Sequence, residues 1–236
     1  MKKKRLVVSL LLLCVSVAAC WAAKKQPLSS ASPVAVLSVT GNKAVPWFDG
    51  NEKSASEGAL TGKINEKMNK LSTERATAVS RLDYALEGVR FRVEEKGAQM
   101  VEKERVLGSS SYKNNPGGTP KYLSAKAVAT GYKSVFDMGR KNVRAVLSEL
   151  GAQSAMFLDF EFWKVRKNSK ELAALVILRA RVVNADGKEI VSKRYSVESE
   201  SRILLSGNSY NTEQLLSLLE FTVDDALDKF FDSAFG

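Results

Sequence analysis

The sequence predicts an α/β fold: a single mixed β-sheet flanked by helices, with a C-terminal antiparallel hairpin and a terminal amphipathic helix. Strands are indicated where apolar residues alternate with polar ones or form short continuous runs. Helices are indicated over 79–89 and after Asn211, because apolar residues recur there every three or four positions. Asn211 is expected to cap the second of these helices, with Gln214 at the capping-box spacing. The chain length fits one such domain, which we expect to span 34–236. The predicted strands of the C-terminal half are 155–165, 172–183 and 190–197.

The first twenty residues have the order of a bacterial lipoprotein leader. Basic residues 2–5 precede an apolar run over 6–17, and Val17-Ala18-Ala19-Cys20 follows. The run is too short for a membrane-spanning helix, which needs about 20 residues. We therefore expect residues 1–19 to be a signal peptide and Cys20 to become the lipidated first residue. The alternative is an ordinary signal peptide, whose cleavage would remove Cys20 or leave its thiol free.

Cysteine and histidine counts restrict the chemistry. Cys14 and Cys20 are the only cysteines, and Cys14 lies in the predicted leader, so the exported domain has no disulfide. A lipid attached to the sulfur of Cys20 explains why the exported chain keeps a single cysteine. The sequence contains no histidine, which excludes Ser-His-Asp and Cys-His catalysis and conventional zinc sites. We expect no catalytic residue, no metal and no cofactor.

The charge balance is moderately basic. The chain has 36 Lys and Arg against 26 Asp and Glu, and four of the basic residues lie in the leader. The remaining net charge of +6 suits a position near anionic lipid or an acidic cell-wall polymer. We expect no nucleic-acid partner. Residues 20–33, which contain Lys, Ser and Pro, are expected to form a lipidated tether.

The domain is expected to begin with a buried strand over 34–39, which is rich in Val. A loop over 41–50 follows and carries Trp47 and Phe48. These two aromatic residues are candidate contacts with a partner or with lipid. The other interpretation is that they close one end of the core.

The middle of the chain alternates between helical and polar stretches. Phe91–Glu94 predicts a second strand, because apolar and polar residues alternate there. Residues 108–121, rich in Ser, Asn, Gly and Pro, predict a surface loop. Gly151 is placed to end the predicted helix over 132–150. The predicted helices are 60–71, 79–89, 97–106 and 132–150.

Asp159 and Glu161 form the one candidate acid pair. Both project from the same face of a predicted strand, about 6–7 Å apart. Two carboxylates at such a spacing can carry out acid–base chemistry on glycosides. The structural alternative, which we favour, is a solvated or salt-bridged sheet face with Arg179 and Arg181 opposite.

Four segments in order have the pattern of one protein group. They resemble the first strand, the entry to the second strand, the junction from helix to third strand, and the hairpin turn of envelope lipoprotein domains. That group includes CsgG, LpoB and the N-terminal domain of TolB. The segments are Val34–Val39, Leu86–Glu95, Leu150–Leu158 and Val182–Ile190.

The resemblance implies a mixed sheet flanked by helices and a role in binding, and it transfers no catalytic residue. Two departures stand out: 108–121 is too polar for pore-forming strands, and Gln153 replaces an expected Asp. We thus expect a non-enzymatic lipoprotein that is anchored in the membrane and binds an envelope protein. In enteric bacteria, an Asp directly after the acylated cysteine retains a lipoprotein at the inner membrane. This chain has Trp21 at that position, which favours an anchor in the outer membrane, facing the periplasm.

Two alternatives stay open. One is a hydrolase that acts on lipid or cell wall through Asp159 and Glu161. Another is a lipid-binding lipoprotein that uses Trp47 and Phe48. A homo-oligomer is compatible with each of them.

Overall fold

The computed structural model describes residues 27–48, 73–115, 126–207 and 209–235. Its strands are β1 Val34–Asn42, β2 Lys126–Val128, β3 Ser154–Arg166, β4 Glu171–Asn184, β5 Glu189–Glu198 and β6 Ile203–Leu204. They form a six-stranded sheet of order β2-β1-β3-β4-β5, in which β6 also pairs with β4. The β1–β3 pair is parallel, and the other pairs are antiparallel. The predicted α/β fold with a mixed sheet is confirmed.

Helices flank this sheet. After a 3-10 turn over Leu28–Ala31, the helices are α1 Thr73–Ala76, α2 Ala78–Glu95, α3 Lys103–Gly108, α4 Ser110–Lys113, α5 Arg140–Leu150 and α6 Thr212–Phe235. The two long helices, α2 and α6, pack against each other. Of these two, α2 contacts β1, and α6 contacts β4 and β5. The two helices therefore cover one face of the sheet.

The covered face holds the main hydrophobic core. Even-numbered residues of β3 point into it, and the rings of Phe160 and Phe162 stack at 6.0 Å. The guanidinium of Arg81 on α2 lies 5.0 Å from the Phe162 ring. Burial of each such aromatic side chain contributes about 1.5–3 kcal/mol. The apolar residues that α6 buries include a stripe at helical spacing: Leu215, Leu219, Val223, Leu227 and Phe230.

Local signals in the sequence determine where several elements end. Gly151 follows α5 with a φ of 64°, as predicted for a helix stop. Gly187 has a φ of 71° in the turn between β4 and β5, which confirms the predicted antiparallel hairpin. The side-chain oxygen of Asn211 accepts the Gln214 N–H at 3.0 Å, which confirms the predicted cap of α6.

The predicted strand over Phe91–Glu94 is wrong, because these residues form the end of α2. Val89 and Val93 are buried at helical spacing. Arg92 reaches across to α6 and donates to Asp228 at 2.6 Å. Phe91, whose alternation with Arg92 indicated a strand, is 65% exposed. Contacts between helices decide the conformation here.

The helix predicted over 132–150 begins later, at Arg140. The preceding stretch lies on the sheet without regular structure, because its backbone bonds to the strands. The Val135 N–H donates to the Ser38 hydroxyl at 3.3 Å. The Arg181 guanidinium donates to the carbonyl of Phe136 at 2.8 Å. The apolar residues are buried as expected, but without a helix.

Two other predictions for the middle of the chain change. The helix expected over 97–106 is α3, Lys103–Gly108. The loop expected over 108–121 begins with the helical turn α4, because Tyr112 is buried and its hydroxyl donates to the Leu37 carbonyl at 2.9 Å. The helix predicted over 60–71 lies outside the described residues.

The chain enters the domain beside the first residues of β1. Leu28, within the stretch expected to be a tether, is buried. The Ser154 hydroxyl donates to the Ala31 carbonyl at 2.7 Å, and the Gln153 N–H donates to the Pro33 carbonyl at 2.9 Å. The last residues of the predicted tether thus pack against the sheet.

Candidate functional site

The structure separates the predicted site residues. Asp159 and Glu161 lie near the middle of β3, whereas Trp47 and Phe48 lie at the end of the sheet where β1 and β3 finish. Cys20 lies outside the described residues, together with the leader. No single cleft therefore collects these residues in the part of the chain that is described.

Asp159 is buried on the sheet face opposite α2 and α6. Its carboxylate accepts a hydrogen bond from the Thr40 hydroxyl of β1 at 2.6 Å. It also forms an ion pair with the ammonium of Lys126 on β2. The edge strand β2 is joined to the middle of the sheet through this carboxylate, whose charge is balanced by the lysine.

Glu161 is buried two residues further along the same face. Its carboxylate is 2.7 Å from a guanidinium nitrogen of Arg179, a half-exposed residue on β4. Arg181, the second arginine expected opposite the acids, lies instead 5.0 Å from the Phe157 ring. Each carboxylate therefore has a separate cation, whereas acid–base catalysis needs one carboxyl group that is free to exchange a proton with a substrate. This arrangement favours a structural role for the pair.

Phe48 and Trp47 differ in their surroundings. The Phe48 ring contacts Trp163 edge to face at a centroid distance of 5.4 Å, and the Phe48 N–H donates to the Lys164 carbonyl at 2.8 Å. Phe48 thus closes a small hydrophobic cluster. Trp47 is 37% exposed and meets the Tyr210 ring edge to face at 6.2 Å.

The buried ammonium group of Lys164 lies against the Trp47 ring. The ammonium of Lys164 lies 5.4 Å from the Trp47 ring, 2.7 Å from the Tyr210 hydroxyl and 3.3 Å from the Glu74 carboxylate. The Tyr210 hydroxyl also donates to Glu74. Burial, together with this hydrogen bond to Glu74, raises the pKa of Tyr210. Arg166 adds a second cation at 5.1 Å from the Trp47 ring.

These contacts fix the indole while leaving part of it accessible. Cation–π contacts of this kind contribute about 0.5–2 kcal/mol. The surrounding groups lie on three parts of the fold: Lys164 and Arg166 on β3, Glu74 on α1, and Tyr210 in the segment before α6. We call the exposed indole with its surrounding Lys164, Arg166 and Tyr210 the Trp47 surface. It is an ordered aromatic contact point framed by cations.

A basic groove was missed by sequence reasoning. Arg140, Lys141 and Arg144 are exposed at the start of α5 and line an open groove with Gln153 and Ala185. Cations on the outer face of a helix are common, and their spacing alone carried no signal. The parallel pairing of β1 with β3 brings this groove next to the point where the chain enters the domain.

The described residues offer no evident place for a metal or a membrane span. Among them, no group of three or more His, Cys, Asp or Glu side chains is arranged to hold a metal ion. No helix in the described ranges has the length and apolarity to cross a bilayer.

Comparison with known proteins yields structural likenesses alone. No protein-family model matches the chain, and no curated protein matches it. The LpoB C-terminal domain from Salmonella enterica is similar at a TM-score of 0.31 and 13% identity, covering 75% of this chain and 98% of that one. Lipoprotein GNA1162 from Neisseria meningitidis is similar at a TM-score of 0.32 and 15% identity. That likeness covers 83% of this chain and 99% of the other.

The hypothetical protein CT253 from Chlamydia trachomatis is similar at a TM-score of 0.37 and 8% identity. The likeness covers 85% of this chain and 96% of that one. TM-scores in this range carry no argument about function. The function of this chain is therefore inferred from its own residues.

Proposed function

We propose that this protein is a lipid-anchored envelope lipoprotein whose domain binds a partner protein and catalyses no reaction. The observation that carries the proposal is the position of Cys20, which directly follows Val17-Ala18-Ala19 and is the only cysteine beyond the leader. Each buried CH2 of an attached acyl chain contributes about 0.8 kcal/mol, and two or more chains anchor a protein stably. We place the anchor in the outer membrane, with the domain in the periplasm.

The surroundings of the acid pair support binding over catalysis. Asp159 is held by Lys126, and Glu161 is held by Arg179. A hydrolase that used these carboxylates would need one of them to exchange protons with a substrate. The sequence has no histidine to take that role instead.

The Trp47 surface is the proposed site of partner binding. It lies beyond the last residue of β1, whereas the chain enters the domain beside the first. The nine residues of β1 separate the two points by about 30 Å. Trp47 is thus far from the attachment to lipid, which favours a protein partner over the membrane. Partly exposed tryptophans with fixed orientation are frequent energetic centres of protein interfaces.

The anchor is tested by phase partitioning in a detergent that separates on warming. The natural full-length protein is expected in the detergent phase, and Cys20→Ala is expected in the aqueous phase because it has no thiol to acylate. Cys14→Ala is the matched control, since it removes a cysteine within the leader and is expected to leave partitioning unchanged. Detergent partitioning of Cys20→Ala would contradict the proposal.

A further inference from the structure

The basic groove has an excess of positive charge without acidic neighbours bound to it. Among the described residues, no carboxylate forms an ion pair with Arg140, Lys141 or Arg144. The Arg140 side chain donates to the backbone carbonyl of Asp186 at 2.8 Å, which orients it along the groove. Three cations therefore face solvent within two turns of one helix.

The groove is next to the start of the folded chain. Gln153 lines the groove, and its N–H donates to the Pro33 carbonyl at 2.9 Å. Pro27, the first described residue, is seven positions after Cys20. Seven residues span at most about 25 Å even when fully extended. A lipid on Cys20 would therefore keep this end of the domain close to the bilayer surface.

Acidic residues at the same end do not neutralise the groove. The helix α2 ends close to β1, because the Gln99 carbonyl accepts the Val34 N–H at 2.8 Å. Two acids of α6 at this end of the sheet are engaged by cations of α2 and of the residue that follows it: Asp228 bonds to Arg92 at 2.6 Å, and Asp232 bonds to Lys96 at 2.8 Å. Asp186, whose backbone carbonyl accepts the Arg140 side chain, adds one carboxylate beside the three cations, so the groove keeps a net positive charge for an external anion.

We propose that the basic groove binds the anionic headgroups of phospholipids in the bilayer that holds the lipid anchor. The inference rests on the proposed acylation of Cys20. Each basic residue close to an anionic membrane surface strengthens attachment by about fivefold, and a basic patch adds to the effect of an acyl chain. The groove end of the domain then faces the membrane, and the Trp47 surface faces away from it.

The test uses the full lipidated protein in vesicles of phosphatidylcholine with or without phosphatidylglycerol. Because acylation blocks Cys20, an introduced cysteine is the only free thiol. A fluorophore is attached through Ser148→Cys beside the groove or through Lys170→Cys, which lies between β3 and β4 at the far end. Spin-labelled lipid is expected to quench the fluorophore at 148 when phosphatidylglycerol is present, and to quench it weakly at 170.

Reversing the charge of the groove tests whether the groove causes the phosphatidylglycerol-dependent quenching. In the Ser148→Cys protein, Lys141→Glu with Arg144→Glu is expected to reduce the phosphatidylglycerol-dependent quenching by more than about tenfold. The matched control, Lys43→Glu with Lys193→Glu, reverses two exposed cations outside the groove and is expected to keep the quenching. Roughly 1 M salt shortens the screening length to about 3 Å and is expected to abolish it.

The outcomes separate the two proposals. Equal quenching at 148 with and without phosphatidylglycerol, or equal effects of the two double variants, overturns the groove inference. Detergent partitioning of the same samples reports the lipid anchor independently. Samples that partition into detergent but show no phosphatidylglycerol-dependent quenching overturn the groove inference alone. Samples that fail to partition contradict both proposals.

Discussion

Replacing Lys164 by methionine is expected to destabilise the protein strongly. Lys164 is 7% exposed and Glu74 is 8% exposed, and their charged groups are 3.3 Å apart. Lys164→Met leaves the Glu74 carboxylate buried without its cation, which costs about 3–5 kcal/mol in comparable pairs. Methionine fills the volume of the lysine stem, so little of the loss comes from a cavity.

The pair can be separated from its surroundings by a second variant. Glu74→Gln combined with Lys164→Met removes both buried charges and is expected to recover part of the loss. Residues in contact within one network typically show coupling energies of about 0.5–3 kcal/mol. The combined variant should therefore be more stable than Lys164→Met alone.

Urea unfolding, followed by circular dichroism, measures these differences. Lys193→Met is the matched control, because Lys193 is exposed on β5 and its replacement is expected to change the free energy of unfolding by no more than about 0.5 kcal/mol. A loss below about 1 kcal/mol for Lys164→Met would refute the reasoning. A combined variant no more stable than the single one would also refute it.

Two further predictions concern turns and helix ends. Gly187→Ala is expected to lower stability by about 1–2 kcal/mol, because alanine resists its φ of 71° and the added Cβ would lie 2.5 Å from Cγ of Arg140. Gly139→Ala, which has a φ of −68° and open space, is the control, and equal thermal midpoints for the two variants would contradict this account. Hydrogen bonds from Ser111 and Ser110 at the start of α4, among them the Ser111 N–H at 2.9 Å and the Ser110 N–H at 2.7 Å, lower the pKa of Glu149 from 4.5 to about 2. Stability from Glu149 is therefore present above pH 4.5 and lost as the pH falls towards 2, so Glu149→Gln should flatten the acid-unfolding curve in that window, and an unchanged curve would count against it.

The elements that sequence reasoning predicted correctly are those whose signals are local. The alternation along β3, the turn at Gly187, the stop at Gly151 and the cap at Asn211 all act within a few residues. The strand predicted over Phe91–Glu94 was wrong because its alternation of apolar and polar residues also occurs within a helix. Burial of Val93 and the hydrogen bond from Arg92 to α6 require a helix there. Those contacts join positions more than one hundred residues apart.

The candidate sites were predictable in part. Exposure of Trp47 could be expected from its loop, but the buried Lys164 and Glu74 beneath it come from β3 and α1 and share no sequence motif. The acid pair was visible as residues of equal parity, whereas Lys126 reaches Asp159 only through the pairing of β2 with β1. The basic groove depends on the place where the chain enters the domain, which no local pattern encodes.

Photo-crosslinking in intact cells tests the central claim most directly, namely that a lipid-anchored domain presents the Trp47 surface to a protein. A photoreactive amino acid is placed at position 47 and, as a control, at position 91, where Phe91 is exposed on α2. We expect a discrete protein adduct from position 47 that position 91 does not form, in membranes that retain the acylated chain. Adducts with lipid alone at position 47, or identical protein adducts from both positions, would contradict the account.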